Sequence, residues 1–229
     1  MGSIHFIGGE KGGVGKSLMA RVLAQYFIDH SIPFLAFDTD RSHGALLRFY
    51  RDYTSPIVVD QYESLDSILE AASADYDQRI LVDFAAQTQS ALVRWMEESD
   101  VLEVIEELGL NLQYWHVMDS GQDSVDLLRK LLDRFADRLR YVLVLNQVRG
   151  EEFQILEQSG QKQRALDMGA KIISLKHLHE PLMIKIDRNS SSFWSATQNG
   201  IDHEMGLMER QRVKRWLKSS YQEIDRAEV

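Results

Sequence analysis

Cysteine is absent from the chain. Disulfides, thiolate zinc sites, cysteine-held iron–sulfur clusters and a cysteine nucleophile are excluded with it. Proline is scarce, with three in 229 residues, so there is no Pro-rich linker. No apolar run reaches the ~18 residues of a membrane span, and the stretch from Met1 to Phe6 is too short for a signal peptide before the first motif. A basic excess is also missing. Lys and Arg total 26 against 35 Asp and Glu, a net charge of −9. A uniformly basic surface built for nucleic acid is therefore excluded, although a local basic patch is not. What is there is an ordinary globular composition, 44% hydrophobic and 27% charged, long enough to bury a large core. The expectation is one cytoplasmic domain over residues 1–229.

Short apolar runs, each ending in a polar residue, organise the chain. Ile4-His5-Phe6-Ile7 leads into Gly8, Phe34-Leu35-Ala36-Phe37 ends at Asp38, and Ile80-Leu81-Val82 ends at Asp83. Leu112 to Met118 ends at Asp119, Tyr141 to Leu145 ends at Asn146, and Lys171 to Leu175 is a sixth run. Runs apolar on both faces predict buried strands of a parallel sheet. Ile57-Val58-Val59 is a weaker seventh, predicted as a short edge strand. Between them, Met19, Val22, Leu23, Tyr26 and Phe27, and again Val125, Leu128, Leu131, Leu132 and Phe135, follow the helical period. Strands alternating with helices predict an α/β fold, a doubly wound, mainly parallel sheet flanked by helices. Ligands bind such sheets at the carboxyl ends of the strands, where these polar residues fall. Contact with water explains any one of them, but less well their company with the next motif.

Residues 8–17 read Gly8-Gly9-Glu10-Lys11-Gly12-Gly13-Val14-Gly15-Lys16-Ser17, after a strand and before a helix. Glycines let backbone N–H groups close on phosphate oxygens, and the helix N-terminus adds its positive dipole end. Lys16 can reach β- and γ-phosphates, and the Ser17 hydroxyl can bind Mg²⁺. The strict G-x-x-x-x-G-K-[ST] pattern fails, because its first glycine position holds Glu10; a second lysine, Lys11, appears instead. A Gly-rich turn that binds nothing is the weaker reading, given the strand before and the helix after.

Lys11 to Ser17 resembles the deviant-Walker-A ATPases related to ParA and MinD, whose signature K-G-G-x-x-K-[ST] it matches in full. The resemblance runs from Ile4 to about Ala196 and implies a P-loop NTPase fold of SIMIBI type, with ATP and Mg²⁺ as cofactors. It implies that Gly12, Gly13, Val14, Gly15, Lys16, Ser17 and Leu18 bind the nucleotide. Lys11 would cross an ATP-sandwiched homodimer to the partner's nucleotide. Asp38-Thr39-Asp40 would be the first switch, with Asp40 positioning the attacking water and Asp38 supporting the metal's water shell. Asp83 would be the Walker B acid, completing a Ser17, Asp38 and Asp83 metal set. Asn146 would read the adenine edge, with a turn Asn as the competing reading. A guanine reader of the N-K-x-D type would carry an acid at position 149, which is Arg149.

Two stretches depart from the pattern: Arg41-Ser42-His43 stands where Pro-Gln is usual, and Phe84-Ala85-Ala86-Gln87 where prolines or a glycine are usual. Both put the hydrolysis rate in question. A second, weaker resemblance is to the TraL-like branch, ATPases encoded with conjugal-transfer functions. It rests on Lys11 to Ser17, Asp38 to Asp40, Val117 to Gln122 and Met208 to Lys214.

The function expected is an ATP-dependent dimerising switch with slow hydrolysis that serves positioning, partition or conjugal transfer of plasmid DNA or another cargo, through an unidentified activator or cargo protein. A metabolic ATP-dependent ligase or kinase with a metabolite near Gln87 or Gln122, and an ATP-binding module with little turnover, stay open as alternatives. Arg210 and Arg212 offer a local, non-specific DNA contact, as do Arg41, His43, Arg48 and Arg51; solvated charged faces compete with both. The last helix places Val213, Trp216, Leu217, Tyr221 and Ile224 on one face, and packing on the sheet is favoured over a membrane. His177, His179 and Glu180 invite a metal reading, which is discounted for want of further ligands.

Overall fold

A computed structural model describes residues 2–40, 44–199 and 205–229. The chain runs β1 (Ser3–Gly8), α1 (Lys16–Asp29), β2 (Phe34–Asp38), α2 (Ala45–Phe49), β3 (Thr54–Pro56), α3 (Tyr62–Ala74), β4 (Arg79–Asp83), α4 (Gln89–Glu98) and α5 (Val101–Glu107). It continues β5 (Asn111–Met118), α6 (Gln122–Phe135), β6 (Arg140–Asn146), α7 (Gln154–Gln158), α8 (Gln161–Asp167), β7 (Lys171–Leu175), α9 (Glu180–Arg188), α10 (Phe193–Thr197) and α11 (Leu207–Arg226). The strands form one sheet in the order β3-β2-β4-β1-β5-β6-β7, and every pairing is parallel. The doubly wound parallel sheet expected from the sequence is present.

The apolar runs are continuous because both faces of the sheet are covered. On one face Phe6, Val82, Leu112 and Leu143 pack with Leu65, Trp95 and Leu128 from the helices. On the other Ile7, Leu81, Trp115 and Val144 pack with Leu23, Phe27, Phe193 and Trp216. Each fully buried Leu or Phe contributes ~1.5–3 kcal/mol relative to exposure. α11 buries Val213, Trp216, Leu217 and Ile224, and its Trp216 Nε1 donates to Lys176 O at 2.7 Å. Among the described residues, no helix is long and apolar enough to cross a membrane.

One predicted strand is misplaced. The edge strand is Thr54–Pro56, paired with β2 from Ala36↔Thr54 to Asp38↔Pro56, and not Ile57–Val59. Ile57 N gives a last bond to Asp38 O at 3.0 Å, and Val58 N then turns to Ser64 Oγ at 2.9 Å. Ile57 and Val59 are apolar because they sit in the core, not because they pair. Pro56 has no N–H to donate, which an edge strand tolerates.

Sheet order places the site. β1 is central between β4 and β5, and β2 lies beyond β4. The carboxyl ends of β1, β2, β4 and β5 therefore bring the glycine loop, Asp38, Asp83 and Asp119 to one edge of the sheet.

Candidate nucleotide-binding site

The loop from Gly9 to Gly15 leaves β1 and enters α1 through backbone that side chains resist. Gly15, directly before α1, has φ +97°, and a Cβ there would lie 2.0 Å from Asn146 Nδ2. A non-glycine residue would be strained by its backbone and would clash with a buried amide. Gly15→Ala is accordingly expected to cost about 1–3 kcal/mol of stability and to displace the loop. Thermal melting with and without Mg-ATP tests this: the variant should melt lower and gain less from nucleotide than the wild type.

Asn146 is fully buried and braces this loop. Its Nδ2 donates to Val14 O at 2.7 Å, and its Oδ1 accepts from Val148 N at 3.2 Å. One amide therefore ties the glycine loop to the short 3-10 turn Gln147–Arg149 that follows β6. One N–H and one oxygen lone pair of the amide are left beyond these two bonds.

Lys16 opens α1 and is buried. Its Nζ donates to Lys11 O at 3.0 Å. Burial lowers its pKa, against the opposing charges of Asp83 and Asp40. Asp38 ends β2, and its carboxylate is engaged by backbone. Oδ1 accepts from Asp40 N at 2.9 Å, and Oδ2 accepts from Leu46 N and Leu47 N, both at 3.0 Å. Asp38 thus caps α2 and fixes the start of the turn carrying Asp40. Burial still raises its pKa against those three donors. Arg41 and His43, which follow Asp40 in the sequence, lie outside the described residues.

Asp83 is the most exacting group here. It is buried, and neither carboxylate oxygen has a hydrogen-bond partner. Burial, then the Asp38 charge, raises its pKa to about 7, although nearby Ser17 and Lys16 oppose the rise. An orphaned buried carboxylate beside a hydroxyl fits a hard cation. Among the described residues, no group of three or more His, Cys, Asp or Glu is placed to hold a metal unaided. Mg²⁺ here would rest on Ser17, Asp83, waters and phosphate oxygens, with Asp38 behind them. Thr39 joins the two acidic strand ends: its N donates to Asp83 O at 3.1 Å, and its Oγ1 accepts from Ala85 N at 2.7 Å.

Lys11 does not extend freely from the loop. Its Nζ lies 3.3 Å and 3.2 Å from the two oxygens of Asp119 and 3.6 Å from Asp123 Oδ2. Asp119 also receives Arg149 Nη1 at 3.0 Å, the Ser124 hydroxyl at 2.7 Å and Gly121 N at 3.1 Å. Burial alone would raise the Asp119 carboxyl; Ser124, Gly121 and Lys11 together hold it below the usual carboxylate range. Asp119 and Arg149 were not assigned to the site from the sequence. The signal for Asp119 was its place at the end of the strand beside β1.

Other candidates fall elsewhere. Arg48 is taken up by Ser190 Oγ and Asp187 O, which ties α2 to α9 and leaves little of it for DNA. Arg210 donates to Met205 O, while Arg51 and Arg212 are exposed. A cavity of about 700 Å³ opens beside Glu10 between α4 and α6, under the Arg134–Glu97 ion pair. Neither Gln87 nor Gln122 lines it.

No family model matches the chain. Among curated proteins, MobD from Acidithiobacillus ferrooxidans is 26% identical over 164 residues, 71% of each chain. TraL from Escherichia coli is 25% identical over a 245-residue alignment spanning all of both. A ParA family ATPase from Chlorobium tepidum superposes with a TM-score of 0.52 at 17% identity, over 94% of this chain and 97% of the other. A chain of the MinC:MinD cell division protein complex of Aquifex aeolicus gives 0.55 at 13% identity, over 95% of both chains. The fold is that of the ParA and MinD ATPases. Its two-sided sheet and its glycine loop at the end of β1 agree with the reading made from the residues.

Proposed function

We propose that this chain is a Mg-ATP-dependent switch of the ParA/MinD kind, a single P-loop domain over residues 1–229. The observation that carries the reading is a glycine loop with two lysines, set at the same sheet edge as an orphaned buried carboxylate, Asp83, and a backbone-capped one, Asp38. Phosphoryl transfer to water asks for phosphate cations, a metal and a positioned water. Gly12 to Leu18 would cradle the phosphates, Lys16 would neutralise them, and Ser17 and Asp83 would hold Mg²⁺. Asp40 would orient the water. Asn146, already bracing the loop, would meet the base with its remaining N–H and lone pair. Magnesium would supply charge neutralisation across the phosphates.

ATP would assemble a homodimer, with Lys11 of each copy leaving Asp119 for the nucleotide of the other. Hydrolysis would be slow and stimulated by a partner protein. The MobD and TraL similarities support a task in conjugal transfer, and the ParA likeness one in positioning plasmid DNA or another cargo. The protein would act in the cytoplasm.

Light scattering with Mg-ADP, Mg-ATP and a non-hydrolysable analogue tests this directly. The wild type should double in mass only with triphosphate. Lys11→Ala should stay monomeric. Asp40→Ala should bind ATP, form the dimer and fail to release it, with hydrolysis reduced by roughly 100-fold if it supplies general-base-type assistance. A mass indifferent to nucleotide would remove the switch, and equal hydrolysis by wild type and Asp40→Ala would remove the role given to Asp40.

A further inference from the structure

Arg149 stands at the end of the 3-10 turn that Asn146 caps, and Gly150, with φ +139°, turns the chain away directly after it. The turn delivers its side chain back across the glycine loop. Its Nη2 is the nearest atom to where a Cβ on Gly13 would stand, at 3.6 Å. Its Nη1 reaches the Asp119 oxygen that Lys11 also approaches, at 3.0 Å and 3.2 Å. The Arg149 side chain is 54% exposed, whereas that of Asp119 is 2% exposed. A half-exposed cation is thus moored at one end to a buried anion.

The anion is rigid for identifiable reasons. Ser124, in the first turn of α6, donates its hydroxyl to Asp119 Oδ1, and the Gly121 N–H meets the same oxygen. His116, three residues before Asp119 on β5, sits 3.3 Å from Ser124 O, and burial keeps it neutral, with its pKa lowered to about 4. One carboxylate therefore faces two cations. Asp123, the other acid near Lys11, is mostly exposed, so the buried carboxylate that both cations share is Asp119.

We infer that Arg149 is a third phosphate-contacting cation of this site, stored on Asp119 together with Lys11 and passed to the nucleotide's phosphate oxygens when nucleotide binds. The inference rests on the reading of the loop as an ATP site. A guanidinium suits this task because its fork of donors can hold Asp119 through one nitrogen and a phosphate through another. A phosphate carries more charge than one carboxylate and is approached from the open side of the loop. Asp119, which holds both cations, competes with that phosphate.

Calorimetric titration with Mg-ATP, Mg-ADP and adenosine separates the possibilities. Arg149→Ala should weaken Mg-ATP by about 10- to 100-fold, the size of one charge-assisted hydrogen bond. It should weaken Mg-ADP less and leave adenosine unchanged, and Arg149→Lys should recover part of the loss. Asp119→Asn keeps the shape and the Gly121 bond while removing the charge, and it should tighten Mg-ATP severalfold. Equal Mg-ATP binding by wild type and Arg149→Ala overturns the assignment. So does a loss that is as large for adenosine, which would put Arg149 on the base instead. Weaker or unchanged Mg-ATP binding in a folded Asp119→Asn overturns the storage role. A wild type that binds no Mg-ATP removes the ATP reading itself, before any variant is considered.

Discussion

Lys16→Ala is expected to lower Mg-ATP affinity by roughly 100-fold or more, since charge-assisted hydrogen bonds contribute ~1.5–3 kcal/mol each and an ammonium can make several. The expectation follows from where the side chain is held. Lys16 begins α1, so its ammonium lies where the helix dipole already favours an anion. Burial removes the water that would screen it, and the bond to Lys11 O fixes its direction. The lowered pKa of Lys16 shows what burial costs the ammonium while only Asp83 and Asp40 oppose it. A bound triphosphate adds negative charge beside it and reverses that cost. Lys16→Met fills similar space and keeps the packing, so it separates charge from volume. Calorimetry on both variants should give similar losses. Binding within a few-fold of wild type in both would remove Lys16 from the phosphates.

The difference between what the sequence told and what the fold added is one of range. The apolar runs predicted β1, β2, β4, β5, β6 and β7 because a strand covered on both faces leaves a continuous apolar signal. The same signal misled at Ile57–Val59, where burial under α3 looks identical to burial in a ladder. The glycine loop was legible because its backbone demands a local pattern of residue types. The Lys11–Asp119 pair joins residues 108 apart, and Arg149–Asp119 joins two elements on the far side of β1. Neither has a sequence period to betray it. Arg48 read as part of an Arg-rich helix face, yet it spends its donors on Asp187 at the end of α9 and on Ser190 just beyond it, 139 and 142 residues away. Asn146 read as a base reader by its place after β6. The contact that fixes the loop, Nδ2 to Val14 O, depends on Gly15 having no Cβ, which only the packed structure displays.

Asp83→Asn is expected to stabilise the nucleotide-free protein while it abolishes Mg-dependent hydrolysis. Both effects come from the same two oxygens. They are buried and unpartnered, so the ionised carboxyl is disfavoured and its pKa rises from 3.8 to about 7. At 1.36 kcal/mol per unit this is a cost of about 4 kcal/mol for the charged form. An amide removes the charge but brings N–H donors of its own to satisfy, so about 1–2 kcal/mol should be recovered. For a chain of this length that is a rise of about 2–8 °C in melting temperature. The pH dependence identifies the cause. The folded-state pKa lies above the unfolded value, so the stability this group contributes is present below about pH 4 and is lost as pH rises to about 7. The advantage of Asp83→Asn should therefore be largest at pH 8 and shrink towards pH 5, where the wild-type carboxyl holds its own proton. Mg-ATP should reverse the order at pH 8, raising the melting temperature of the wild type and leaving that of the variant nearly still. An advantage that does not change with pH would place the gain in packing and remove the buried charge as its source. A site that keeps an unpartnered carboxylate at neutral pH gives up stability in the nucleotide-free chain, and a cation that arrives with the nucleotide returns it.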